Sequence, residues 1–234
     1  MGEIMNKRIS VLDIEIDELT AKEAMRSAME YIALEPLNVI EFVTAASLMR
    51  IREEKGLREE VCRFDLVLAG DRAVLEAAEV SERKFFLETE NRVFLKMFLR
   101  YLHKNHMRIY MLAESEGEAE QFYHYLEYYY RGIQIAGLAK VSAADRSDEM
   151  LVNAINGGEV YCIFSMLSSP LQEEFIAENK GVLDARVFVG LGKDMLPGGQ
   201  GKMGGGRFTR LVSKYLFKKE IKKHKKIEQI YAVK

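Results

Sequence analysis

Cysteine is scarce. Only Cys62 and Cys162 occur in the 234 residues, and neither has a second cysteine or a histidine at metal-ligand spacing. That argues against zinc modules and disulfide scaffolds. Two thiols in or beside apolar segments read as buried free cysteines in a reducing compartment. Proline is equally sparse, at three residues, and no Ser/Gly-rich tract supplies a flexible interdomain linker. No run of 18 or more consecutive apolar residues occurs, and the N-terminus lacks a signal peptide's apolar core, so the cytoplasm is the expected location. The opening Met-Gly is no myristoylation signal, because Asn6 stands where Ser or Thr is needed. Internal repeats and low-complexity segments are missing as well.

What remains is the make-up of an ordinary globular chain, 48% hydrophobic and 30% charged, long enough for one well-filled core and short for two. The net charge of −2 conceals an asymmetry. From Arg207 to Lys226 nine Lys/Arg face one acid, Glu220, for +8; the last eight residues add one charge of each sign, leaving −10 on residues 1–206.

Short apolar runs recur at Arg8–Ile16, Val39–Thr44, Asp65–Ala69, Arg108–Ala113, Gly132–Ala136, Glu159–Ser165 and Ala185–Leu191. Most are continuous rather than alternating, as strands covered on both faces are. Helical spacing lies between them: Ala24, Ala28, Tyr31 and Ile32 form one stripe, and Phe122, Tyr125, Leu126 and Tyr129 another. Helix starts are marked at Thr20, with Glu23 completing a capping box, and at Asp145. Strands alternating with helices predict βαβ units and an α/β fold: a Rossmann-like, mainly parallel sheet with helices on both faces. Ligands of such sheets bind beyond the carboxyl ends of the strands, where Thr44, Asp71, Ser168 and Gly192 fall.

The pattern changes after residue 206, which sets the expected division into a domain at 1–206 and a basic amphipathic appendage at 207–234. Phe208, Leu211, Val212, Tyr215 and Leu216 share one helical face, while Arg207, Arg210, Lys214, Lys218, Lys222 and Lys225 run along the other side. Such a helix can lie in a membrane interface against anionic headgroups, or dock its apolar face on the domain with its lysines solvated. Nucleic acid ranks last, because no reading motif accompanies the basic stripe.

The stretch 165–180, SMLSSPLQEEFIAENK, followed by 185–192, ARVFVGLG, resembles a block of the WecG/TagA/CpsF glycosyltransferase family (glycosyltransferase family 26, N-acetylmannosaminyltransferase-like). That block reads G-x-P-x-Q-E-x-W-I-x-x-N before a strand ending in a glycine pair. Upstream, 8–20 resembles the family's opening strand and first helix cap, Val43-Thr44 its V-T-x-N turn, and 65–71, DLVLAGD, its D-L-V-L-P-D-G strand end. The series runs in order through nearly the whole chain.

The resemblance implies an inverting, metal-independent enzyme without a cofactor. It would move an N-acetylmannosamine-like N-acetylhexosamine from a UDP-sugar donor to a lipid diphosphate-linked sugar, in cell-surface polysaccharide or teichoic acid synthesis. It also implies peripheral association with the inner face of the cell membrane through the tail. Nucleic acid is not an expected partner, and self-association into a homo-oligomer is left open. Asp71 stands as the catalytic base. Thr44, Arg92, Gln172, Glu173, Arg207 and Arg210 are the expected substrate-binding residues, the tail arginines serving the departing diphosphate in place of a metal.

Several positions depart from the family's pattern. Gly70 and Asp71 are exchanged relative to its D-G turn, so Asp71 reads equally as a helix N-cap, with the helix at Arg72–Ala78. The turn asparagine is replaced in Thr44-Ala45-Ala46, and 94–98, FLKMF, lacks the family's Gly and Asp. Acids in 113–117, AESEG, replace a glycine-rich turn and would repel a diphosphate. Gln172 and Glu173 read either as ligand contacts or as solvent-exposed polarity at a helix start. The glycine-dense 196–206, LPGGQGKMGGG, is not a P-loop, since Met203 follows Lys202, and reads as a hinge or a phosphate nest. The four histidines, His103, His106, His124 and His224, are scattered and carry no assignment. The alternative to an active transferase is a non-catalytic relative that binds or scaffolds at the membrane.

Overall fold

A computed structural model describes residues 7–144, 149–195 and 216–226. The first apolar run is not one strand but a hairpin, β1 (Arg8–Val11) and β2 (Ile14–Asp17), paired antiparallel in a small sheet of its own. Leu12 and Asp13 make the two-residue turn with φ of 54° and 62°, the left-handed values that such a turn demands. Asp17 is buried and ties this hairpin to the main sheet, accepting from Val67 N at 2.9 Å while pairing with Arg8 Nε at 3.0 Å.

The remaining runs form one parallel sheet. Its strands are β3 (Asn38–Val43), β4 (Leu66–Ala69), β5 (Arg108–Ala113), β6 (Gln134–Lys140), β7 (Cys162–Ser165) and β8 (Val187–Gly190), in the order β4-β3-β8-β7-β5-β6. β6 begins and ends later than the apolar run at Gly132–Ala136, and its alternating half-exposed pattern is that of an edge strand. The central strands are buried on both faces. In β5, Ile109, Met111 and Ala113 join one apolar layer, and Tyr110 and Leu112 the other.

The first layer is closed by α1 (Ala21–Ile32), α6 (Val93–Lys104) and α7 (Glu116–Tyr129), which bury Ala28, Phe98, Leu102, Phe122 and Leu126. Each such aromatic or aliphatic side chain contributes on the order of 1.5–3 kcal/mol by leaving water. Thr20 and Glu23 form the expected capping box at the head of α1. Tyr31 and Tyr125 lie half-buried at the margin of this layer, whereas Tyr129 is exposed. The second layer is closed by α2 (Ala45–Glu53), α3 (Lys55–Val61), α8 (Glu149–Asn156) and α9 (Leu171–Asn179), with α4 (Arg72–Ala77) contributing Ala73 and Val74; α5 (Arg83–Glu90) buries no residue fully. The helix expected from Asp145 begins within the described residues only at Glu149, because Asp145 lies outside them.

The described part of the basic tail is a helix at 216–226 that docks on the second layer. Phe217 is buried there and Ile221 packs beside it, whereas Leu216, on the face expected to be apolar, is exposed. One residue separates the two registers, and the core selects the aromatic. Ion pairs Arg52–Glu220 (2.5 Å) and Lys218–Glu76 (3.5 Å), with Lys225 on Glu79 and His224 Nε2 3.2 Å from Asp13 Oδ1, flank the contact. Phe208, Leu211, Val212 and Tyr215 lie outside the described residues, as do Lys214 and the glycine-dense 196–206.

Candidate functional site

Strands β3 and β4 wind to one side of the sheet and β5 and β6 to the other, with β7 and β8 filling the centre, so the order of connections reverses above the central strands. A crevice outside the carboxyl ends at such a point is where α/β sheets bind ligands. One opens here, enclosing about 220 Å³. Thr44, Ser47 and Arg50 contribute one wall, Ser168 and Ser169 a second, and Gly192 and Lys193 a third. Thr44, Ser168 and Gly192 are thus brought together as their positions after strands led one to expect. Arg50, Ser169 and Lys193 carry no family motif in the sequence and went unassigned.

Thr44 and Asp71 act first on backbone. Thr44 caps α2, accepting from Ser47 N at 3.2 Å, while Ser47 Oγ accepts from Thr44 N at 2.8 Å. Asp71 caps α4 through Oδ1, which accepts from Val74 N at 3.0 Å, and its Oδ2 accepts from Ala45 N at 3.1 Å at the head of α2. A single carboxylate therefore joins two helix starts. It stands beside the crevice without lining it. Arg92, left-handed at φ 52°, precedes α6 and reaches across to donate to Met195 O at 2.6 Å, holding the short helical turn Lys193–Met195 that follows β8. It borders a separate, small apolar pocket with Leu19, Phe42, Leu75 and Phe85.

Gln172 and Glu173 are not the exposed polarity that a helix start suggests: they are 1% and 0% exposed. Gln172 Nε2 donates to Glu41 Oε1 at 2.6 Å, and Gln172 Oε1 accepts from Gly192 N at 3.0 Å. Glu173 accepts from Ser169 Oγ, and Arg50 Nη1 donates to Ser169 O at 2.9 Å. Burial is the main cause that pushes Glu173 up to about 7, with Glu174 raising it further and the Ser169 bond and Arg50 pulling the other way. Glu41 lies fully buried in the middle of β3; burial drives its carboxyl well up, and the charge of Glu173 drives it further. Sequence reasoning missed Glu41, although one acid inside the apolar run Asn38–Val43 is a signal of its own: a strand covered on both faces has no solvent side for it.

Glu114, expected to repel a diphosphate, is paired. It takes Lys193 Nζ at 2.7 Å and accepts from Ser168 N at 2.5 Å. Burial raises its carboxyl, but those bonds outweigh burial and hold it below the usual range. Lys193 also pairs with Glu118 at 3.3 Å. Cys162 is buried, and burial pushes its thiol up, leaving it inert. Among the described residues no three His, Cys, Asp or Glu side chains converge as a metal site, and no helix is long and apolar enough to cross a membrane. Arg207 and Arg210 lie outside the described residues.

A parallel sheet with helices on both faces and a polar crevice at its reversal point defines a Rossmann-like α/β domain. The glycosyl transferase WecG/TagA/CpsF family model matches residues 9–195, and the chain belongs to that family. No curated protein matches it.

Proposed function

We propose that this chain is a working member of its family, transferring an N-acetylmannosamine-like N-acetylhexosamine from a UDP donor to a lipid diphosphate-linked sugar at the inner membrane face. The observation that carries the reading is the crevice at the carboxyl ends of β3, β7 and β8, bordered by Arg50 and Lys193 in a chain of this family. Two cations beside backbone at strand ends suit a diphosphate.

In this reading the acceptor oxygen attacks the sugar's anomeric carbon as the bond to the diphosphate breaks, with inversion. Asp71 takes the acceptor proton, and UDP leaves with the bonding pair. The carboxylate retains lone pairs beyond its two backbone bonds, so capping and proton transfer are compatible. Thr44 assists at the end of β3, Arg92 acts by holding the Lys193–Met195 turn through Met195 O, and Arg207 and Arg210 attend the leaving group. Gln172 and Glu173 serve from behind the crevice wall. No metal or cofactor enters this scheme. Lys218, Lys219, Lys222, Lys223 and Lys226, exposed on the docked helix, give the tail a basic outer face for anionic lipid.

A second reading, a binding or scaffolding relative without turnover, is favoured by one observation: both Asp71 oxygens and the Thr44 hydroxyl already satisfy backbone at helix starts. UDP release from UDP-N-acetylmannosamine, with and without a soluble lipid-diphosphate-N-acetylglucosamine acceptor, separates the two. Acceptor-dependent release that Asp71→Asn lowers at least ~100-fold supports the transferase. No release and no UDP binding by the full chain supports the scaffold. Flotation with anionic liposomes, lost at high salt and on removal of residues 207–234, tests the membrane contact.

A further inference from the structure

Each of two crevice walls is held from behind by a buried acid. Glu173 holds Ser169 directly, and Glu41 holds Gln172, which in turn holds the N–H of Gly192. The second chain of bonds runs from the middle of β3, across α9, to the loop after β8. Its last link is the backbone of the residue next to Lys193.

We propose that Glu41 is a positioning residue for the crevice: by orienting the Gln172 amide it fixes the Gly192–Lys193 rim in the place where the donor is bound. The inference deepens the transferase reading and, for its ligand arm, rests on it.

Three features of the structure support this. The Gln172 amide is fully committed, its nitrogen to Glu41 and its oxygen to the Gly192 N–H, so removing the acid frees one end of the side chain that holds the rim. Flipping it would turn its NH₂ toward the N–H of Gly192. Next, Gly190 lies opposite Glu41 in the β3–β8 register, and a Cβ there would run into Glu41 Oε2 and come within 2.7 Å of Gln172 Nε2. The room for the brace exists because position 190 has no side chain. Finally, the second oxygens of Glu41 and Glu173 are both buried without a hydrogen-bond partner. An ordinary core position would hold an aliphatic residue more cheaply. Burial, and after it the neighbouring Glu173, push the Glu41 carboxyl well up toward its neutral form, against a smaller opposing effect of the Gln172 bond. A glutamine can therefore imitate it.

Amide hydrogen exchange of the full chain, read on the peptide Leu191–Met195, tests the brace without any ligand, with the β5 peptide Arg108–Ala113 reporting global opening. Glu41→Leu is expected to speed exchange at the rim about tenfold or more while β5 stays protected, and Glu41→Gln to leave the rim within about twofold of wild type. UDP affinity should fall about tenfold in the leucine variant and hold in the glutamine variant. Should Glu41→Leu fail to fold, Gln172→Leu breaks the same chain at its middle link and is judged by the same criteria. Unchanged rim exchange in the leucine variants, or equal acceleration by Glu41→Gln, would overturn the inference. If the wild-type chain binds no UDP, the transferase reading fails, and the exchange data still decide whether Glu41 positions the rim.

Discussion

Two acidic corners lie at the carboxyl ends of this sheet, and they are built on opposite terms. At the first, Asp71 is half-buried and gives both oxygens to backbone N–H groups at the starts of α2 and α4. At the second, Glu41 and Glu173 are fully buried, neighbour each other, and receive side-chain donors on one oxygen each. Helix starts carry partial positive charge and orphan donors, so an ionised carboxylate is at home in the first corner. The second corner offers an amide and a hydroxyl, and burial pushes both carboxyls toward their neutral forms. The same residue class thus serves backbone donors at helix starts in one place and a buried amide and hydroxyl in the other. Each assignment can be broken separately.

The largest effect is expected at Gly190. Gly190→Ala inserts a methyl group into space that Glu41 and Gln172 occupy, in a strand buried on both faces. Overpacking without room to relax should destabilise the fold by about 3 kcal/mol, measured by denaturant unfolding. Glu41→Ala in the same chain empties the contested space. The double variant should then be more stable than the sum of the single losses by more than ~1 kcal/mol. Strict additivity would show that the acid corner does not set the glycine.

Glu173→Gln comes next and separates the corners by pH. Unfolded, Glu173 titrates near 4.5; folded, it titrates at about 7. Between those values the native chain keeps a proton that the unfolded chain has released, so stability falls as pH rises through this window. The loss is complete above about pH 7, at roughly 3 kcal/mol, and nil below pH 4.5. A glutamine carbonyl can still accept from Ser169 but never ionises. Thermal melts of the variant should lack this decline and exceed wild type at pH 8. Parallel profiles would show that burial does not raise the Glu173 carboxyl.

How much of this was legible in the sequence follows the same division. Continuous apolar runs announced strands covered on both faces, and the Thr20–Glu23 spacing announced the head of α1. Such signals are local and repeat at fixed intervals. The hairpin at Arg8–Asp17 was unreadable because Leu12-Asp13 lacks the Asn-Gly or Asp-Gly pair that usually marks two left-handed residues. Gln172 and Glu173 read either as ligand contacts or as polarity at a helix start, since their partners Glu41, Gly192 and Ser169 come partly from strands distant in sequence. Arg50 and Lys193 are ordinary surface residues until the fold sets them on one crevice. At the described end of the tail Phe217 is buried rather than Leu216, because only the core reveals which side chain it accepts.

Asp71→Ala probes the solvated corner by stability alone. It removes one cap from α4 and one acceptor from the head of α2, at about 1 kcal/mol each, so a loss near 2 kcal/mol is expected. A variant as stable as wild type at pH 7 would mean that the two helix starts are satisfied without it.

Arg50→Ala should have the smallest effect on the fold. The side chain is exposed, and its hydrogen bond to Ser169 O lies at the crevice rim in competition with water. Removing it should change stability by less than ~1 kcal/mol. Binding is another matter, because a guanidinium anchored at one nitrogen keeps further donors to offer an anion. If the crevice receives a diphosphate, UDP affinity should fall about tenfold in Arg50→Ala and recover in part in Arg50→Lys, with a weaker salt dependence in the alanine variant. Loss of stability with unchanged affinity would instead make Arg50 a strut for Ser169. The crevice would then depend on Lys193 for its charge, a residue already engaged by Glu114 and Glu118. The two measurements together therefore decide whether the solvated side of the site handles charge while the buried acids only shape it.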